Sequence, residues 1–203
     1  EEYLRLRDHS SDIRNKYGVA ADAKLVLFVG KLIPKKRPED LLSAFLAAKV
    51  KRKELAFVGD GILSDYLKKN AHDNHCASVH FYGFKNQKEL PEYYSMADVF
   101  VLPSGVGETW GLVVNEAMCF GLPIIVSDVV GCGYDLVTKE NGLTFKYKDT
   151  EGLKEAIEKI LTNNDTQKSM SLASLDIIDR YSYDEDVLSI ERALGAIDKK
   201  AID

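Results

Sequence analysis

The stretch PSGVGETWGLVVNEAMCFGLP, Pro103 to Pro123, sets two glutamates, four glycines and the only tryptophan of the chain ahead of and within an apolar run. Just before it, DVFVLP (Asp98 to Pro103) is almost wholly apolar and ends at a proline, which reads as a strand covered on both faces. SGVGETWG then reads as a loop. LVVNEAMCF has apolar residues at three- and four-residue spacing, so a helix begins near Gly111. Strand, glycine-rich loop and helix in that order put the loop at the carboxyl end of a strand, where a helix N-terminus offers free N–H groups and a partial positive charge. Glu108 stands in the loop. Glu116 lies about one turn into the helix, on the face shared with Leu112.

The same unit recurs outward along the chain. KLVLFVG, ELAFVG, SVHFYG, PIIVS and GLTFK are further strand candidates, and PEDLLSAFLAAK, ILSDYLKKNA and QKELPEYYSMA are amphipathic helix candidates between them. Alternating strands and helices of this kind predict an α/β fold, a Rossmann-like doubly wound parallel β-sheet of about six strands with helices on both faces. After Thr150 the pattern turns to polar-amphipathic helices, TEGLKEAIEKILTN and then YSYDEDVLSIERALGAI. Residues 24–203 form one domain in this reading. Residues 1–23, with the charged opening EEYLRLRDHSSDIRNKYGV and no initial methionine, read as a linker and lead-in helix from a preceding domain of a longer protein.

A chain of 203 residues, 45% of them hydrophobic, can build one sizeable core. Its net charge of −5 lacks the basic excess of a nucleic-acid binder, so an anion site has to be local. Three cysteines without a C-x-x-C pair suit a reducing cytoplasm. No apolar run approaches the roughly 18 residues of a membrane span.

One local anion site is legible in VGKLIPKKRPED. Lys31, Lys35, Lys36 and Arg37 fall within seven residues, between the end of the first strand at Gly30 and a helix opened by Pro38. FVGDGILSD imitates a dinucleotide fingerprint, but Ser64 replaces its third glycine and the next strand runs into Phe84 and Lys85 without an acidic residue for a ribose. A tight turn is the better reading there. In YGFKN, Phe84 can lie against a base. HDNHC reads as a polar helix end rather than a zinc site, and Asp184-Glu185-Asp186 as acids suited to a helix start.

Taken together, VGKLIPKKRPEDLLSAF, LAFVGDGILSDYLKK, VHFYGF, YYSMADVFVLPS, ETWGLVVNEAMCFGLPIIVSD and NGLTF resemble the carboxyl-terminal, donor-binding half of glycosyltransferase family 4, which has the GT-B fold. The two glutamates separated by seven residues and followed by alanine are that family's hallmark. The resemblance implies retaining transfer of a sugar from a nucleotide-sugar donor, such as a UDP-, GDP- or ADP-sugar, to a glycan or lipid-linked acceptor in polysaccharide biosynthesis. It implies no essential metal or other cofactor. Lys31, where the family usually has arginine, and Lys36 would neutralise the departing diphosphate, beside Gly30. Glu108 would accept from the sugar hydroxyls, and Glu116 would hold the ribose. Thr109, Trp110, Gly111, Leu112 and Val113 would offer backbone N–H groups to sugar and phosphate, with Phe84 and Lys85 on the nucleoside side. The acceptor would be bound mainly by an amino-terminal domain outside this chain, leaving this one inactive alone. The implied enzyme is cytoplasmic, with peripheral association at the inner membrane face open to it. A nucleotide-sugar epimerase, a sugar phosphorylase or a non-catalytic nucleotide-sugar-binding module are the rival readings.

Overall fold

A computed structural model describes residues 6, 9–74 and 76–200, without the side chains of 183, 186 and 195–200. In chain order the elements are α1 (Ser10–Tyr17), β1 (Lys24–Val29), a 3-10 turn (Pro34–Lys36), α2 (Pro38–Ala47), β2 (Lys53–Val58), α3 (Ser64–Asp73), β3 (Val79–Phe81), α4 (Leu90–Met96), β4 (Val99–Leu102), α5 (Leu112–Cys119), β5 (Ile124–Ser127), α6 (Gly133–Leu136), β6 (Gly142–Phe145), α7 (Thr150–Leu161), α8 (Asn164–Asp179) and α9 (Tyr183–Lys200). All six expected strands form, and they pair in parallel in the order β3-β2-β1-β4-β5-β6. The order reverses between β1 and β4, so the crevice outside their carboxyl ends is the place where a doubly wound sheet binds ligands.

Strand periodicity explains how the sheet is buried on both sides. Leu25, Leu27 and Val29 of β1 face one apolar layer with Phe100 and Leu102 of β4, while Val26 and Phe28 face the other with Val99 and Val101. The first layer is closed by Tyr93, Tyr94 and Met96 of α4 and by Val114, Ala117 and Met118 of α5. Leu41, Leu42 and Phe45 of α2 and Leu153, Ile157 and Ile160 of α7 close the second.

The lead-in segment is docked rather than loose. Arg14 of α1 donates to the Met96 and Ala23 carbonyls at 2.8 and 2.9 Å and pairs with Asp98 at 2.7 Å, which ties α1 to the start of β4. Two helices were not read from the sequence. The short α6 interrupts the β5–β6 connection, and α8 fills the segment between the two late helices, capped by Asn163, whose side chain accepts from the Thr166 N–H at 3.0 Å.

Candidate functional site

Glycines let the loops of β1 and β2 lie against one another. Gly59 has φ +136°, and a Cβ there would stand 1.9 Å from the Gly30 carbonyl oxygen; one on Gly61 would stand 2.4 Å from the Leu32 oxygen. The G-D-G of the second edge thus serves backbone approach. Asp60 completes the turn by accepting from the Ser64 hydroxyl at 2.5 Å and the Gly61 N–H at 2.8 Å. The basic segment is thereby fixed over the end of β1.

Its four cations do not behave alike. Arg37 turns back on the first turn of α2, meeting Asp40 through two hydrogen bonds of 2.7 and 2.6 Å, and that pairing holds the guanidinium above its usual range. Lys36 passes over Gly30 and donates to the Glu108 carboxylate across the crevice. Lys31 and Lys35 are exposed, and neither makes an ion pair with a described residue. The Gly105 N–H donates to the Lys35 carbonyl at 2.7 Å, joining the two loops directly. The structure thus brings Lys36 and Glu108 together from β1 and β4, 72 residues apart.

The β4 loop is held from its far side by the loop after β5. Gly131 donates to the Glu108 carbonyl at 3.0 Å and Cys132 to the Trp110 carbonyl at 3.1 Å. A Cβ on Gly131 would fall 1.9 Å from the Thr109 oxygen, so this approach needs glycine. Cys132 is wholly buried below the loop, and burial, with the Glu108 charge second, pushes its thiol up to about 12. The sequence reading missed this second loop; Gly131-Cys132-Gly133 after a strand was the available signal.

At Gly111 the backbone enters the left-handed region, φ +100°, and α5 starts at Leu112 with no side-chain cap. None of the N–H groups of Thr109, Trp110, Gly111, Leu112 and Val113 donates to another described group. A run of five free donors, ending on a helix N-terminus, faces the same loop as Glu108. The Trp110 ring is turned away onto its helix and donates to the Asn115 Oδ1 at 2.9 Å. Only its backbone is offered.

Glu116 projects from the second turn of α5, and its carboxylate accepts a 2.6 Å hydrogen bond from the Tyr94 hydroxyl. Phe84 is 78% exposed beyond β3, in a loop tied to β2 by the Gly59 N–H donating to the Gly83 carbonyl at 2.8 Å. Lys85 leans on α4, 3.6 Å from Glu89 and 5.9 Å from the Tyr93 ring centre. His75 lies outside the described residues, and among those described no group of histidines, cysteines and acids is placed to hold a metal. No described helix is long and apolar enough to cross a membrane. A cavity of about 370 Å³ opens at the opposite edge of the sheet, between Lys24, Asp98 and Gln167; those three are already paired with one another.

The family model described as glycosyl transferases group 1 matches residues 9–174. The chain belongs to the group 1 glycosyltransferases. An uncharacterized group member of this kind, a glycosyltransferase of Methanocaldococcus jannaschii, is 32% identical over 178 residues, 85% of this chain and 45% of its own length. The GDP-mannose-dependent alpha-(1-6)-phosphatidylinositol monomannoside mannosyltransferase of Mycobacterium tuberculosis is 28% identical over 80% of this chain and 44% of its own. Sucrose-phosphate synthase of Thermosynechococcus elongatus superposes with a TM-score of 0.80 at 25% identity, over 93% of this chain and 49% of that one. The carboxyl-terminal domain of a Francisella tularensis group 1 protein has the same fold, with a TM-score of 0.77 at 15% identity over 86% of this chain and 93% of its own. This group 1 chain spans about half the length of the curated relatives it matches.

Proposed function

We propose that this chain is the donor-binding half of a retaining glycosyltransferase and holds the diphosphate of a nucleotide-sugar in the crevice between β1 and β4. The observation that carries the reading is the run of free N–H groups from Thr109 to Val113 facing a loop to which Lys36 reaches from the other side. An anion there meets fixed donors, a helix N-terminus and lysine together. Phe84 stands two strand spacings from β1, about 10 Å, a fitting reach for the nucleoside. Glu116, aimed by Tyr94, is placed for ribose hydroxyls and Glu108 for those of the sugar. The name of the mycobacterial relative, dependent on GDP-mannose, supports a nucleotide-sugar donor.

In the reaction so read, the bond from the anomeric carbon to the phosphate oxygen breaks and a bond to an acceptor hydroxyl oxygen forms on the same face. The hydroxyl proton passes to the departing phosphate. Lys31, Lys36 and the N-terminus of α5 stabilise the charge growing on that phosphate. The acceptor, a glycan or lipid-linked sugar, is bound mainly by the other half of the protein.

A thermal-shift screen of UDP-, GDP- and ADP-sugars tests this. One of them at about 100 times its dissociation constant should add about 2.7 kcal/mol, roughly 5–10 °C for a domain of this size. No shift with any sugar nucleotide overturns the reading.

A further inference from the structure

We infer that the Lys36–Glu108 ion pair exchanges partners on binding, and so lets the site favour a sugar-bearing donor over the spent nucleoside diphosphate. The inference rests on the donor reading above. In the ligand-free chain each side chain is the other's ion-pair partner, and both are largely covered, Lys36 to 18% and Glu108 to 12% exposure. Cations and anions so placed depend on their partners, because water reaches them poorly.

The two are not equally free to move. Glu108 is pinned at both ends of its peptide, its N–H donating to the Gly105 carbonyl at 3.2 Å and its carbonyl accepting from Gly131 at 3.0 Å. Lys36 sits on a single 3-10 turn with a four-carbon stem. An incoming phosphate therefore draws Lys36 away and leaves the carboxylate where it is. Its near neighbour Cys132 stays protonated and supplies no countercharge. Lys35, beside Gly107, is exposed and screened by water, so it offsets the loss weakly.

What happens next depends on the ligand. A donor presents sugar hydroxyls that donate to Glu108 as Lys36 leaves, and every charge keeps a partner. A nucleoside diphosphate presents nothing in that place and strands the carboxylate beside phosphate charge of the same sign. After transfer Glu108 therefore reclaims Lys36, withdrawing a cation from the product and favouring its release.

Calorimetry on the wild-type chain and on Glu108→Gln, with UDP, GDP, ADP, UDP-glucose, GDP-mannose and ADP-glucose, tests the exchange. The amide neither holds Lys36 as a counter-ion nor carries a charge to strand. Affinity for the matching nucleoside diphosphate should rise about tenfold in the variant, while affinity for the sugar nucleotide does not rise. A wild type that binds a sugar nucleotide, with a variant that binds the diphosphate no tighter, overturns the exchange alone. A wild type that binds none of the six overturns the donor reading itself. Should Glu108→Gln fail to fold, Glu108→Asp keeps the charge and draws it back from Lys36; a gain in diphosphate affinity is expected, and no gain overturns the exchange.

Discussion

The Tyr94 hydroxyl, 1% exposed beneath α5, donates a 2.6 Å hydrogen bond to the carboxylate of Glu116. The second glutamate of the loop–helix unit is thus aimed by the core of the domain. Tyr94 also stacks on Phe120, with ring centres 5.6 Å apart, so its own position is fixed by packing.

Tyr94→Phe keeps that packing and removes the bond. It should cost about 1 kcal/mol of stability and weaken nucleotide binding several-fold, because Glu116 loses its orientation but not its charge. Glu116→Ala should weaken the nucleoside diphosphate and the sugar nucleotide alike. Dissociation constants for both ligands check this; an unchanged affinity in Glu116→Ala would remove Glu116 from the site.

Burial, with the Glu116 charge second, raises Tyr94 above the ordinary tyrosine value of about 10, and burial does the same for Tyr82. The unfolded chain therefore sheds these protons at a lower pH than the folded one. Stability is complete below about pH 10 and falls as pH rises beyond it, by up to about 1.4 kcal/mol per pH unit for Tyr94. Denaturant midpoints between pH 8 and 11.5 should show this slope, and Tyr94→Phe should flatten it. Equal slopes in the two proteins would contradict the assignment to Tyr94.

Backbone approach separates two glycines. Gly131→Ala places a methyl against the Thr109 carbonyl and should cost about 1–3 kcal/mol while displacing the Glu108 loop, so donor binding falls too. Gly83→Ala has open space around it and φ +68°, so it should cost only the left-handed conformation, about 1–2 kcal/mol, with donor binding kept. Loss of binding in neither variant would argue against the β5 loop as the support of the site.

Neutralisation by Lys31, Lys36 and the helix terminus needs no divalent ion. The dissociation constant of the sugar nucleotide should be the same in EDTA and in magnesium; a tenfold or larger gain with magnesium would show that the cations present do not suffice.

The six strands were legible because both sheet faces are covered, which makes nearly every strand residue apolar: β1 reads KLVLFV and β4 reads VFVL. The loop-to-helix switch at Gly111 was legible for a similar reason, since glycine is what the left-handed turn requires. α8 was not. Its opening Asn163-Asn164-Asp165 looks like a turn, yet Asn163 is the cap, and only Met170, Ser171 and Ser174 of the helix are buried. The partners of the site were also hidden. Tyr94 meets Glu116 across 22 residues and Lys36 meets Glu108 across 72, distances that local spacing does not encode.

Mapping backbone amide shifts by NMR during titration with the sugar nucleotide that stabilises the chain tests the central claim most directly. The account predicts that Gly30 to Lys36 and Thr109 to Val113 shift together and saturably, and that residues around the opposite cavity, Lys24 and Gln167 among them, stay still. Saturable shifts confined to that opposite edge, with the Thr109 to Val113 amides unmoved, would contradict it.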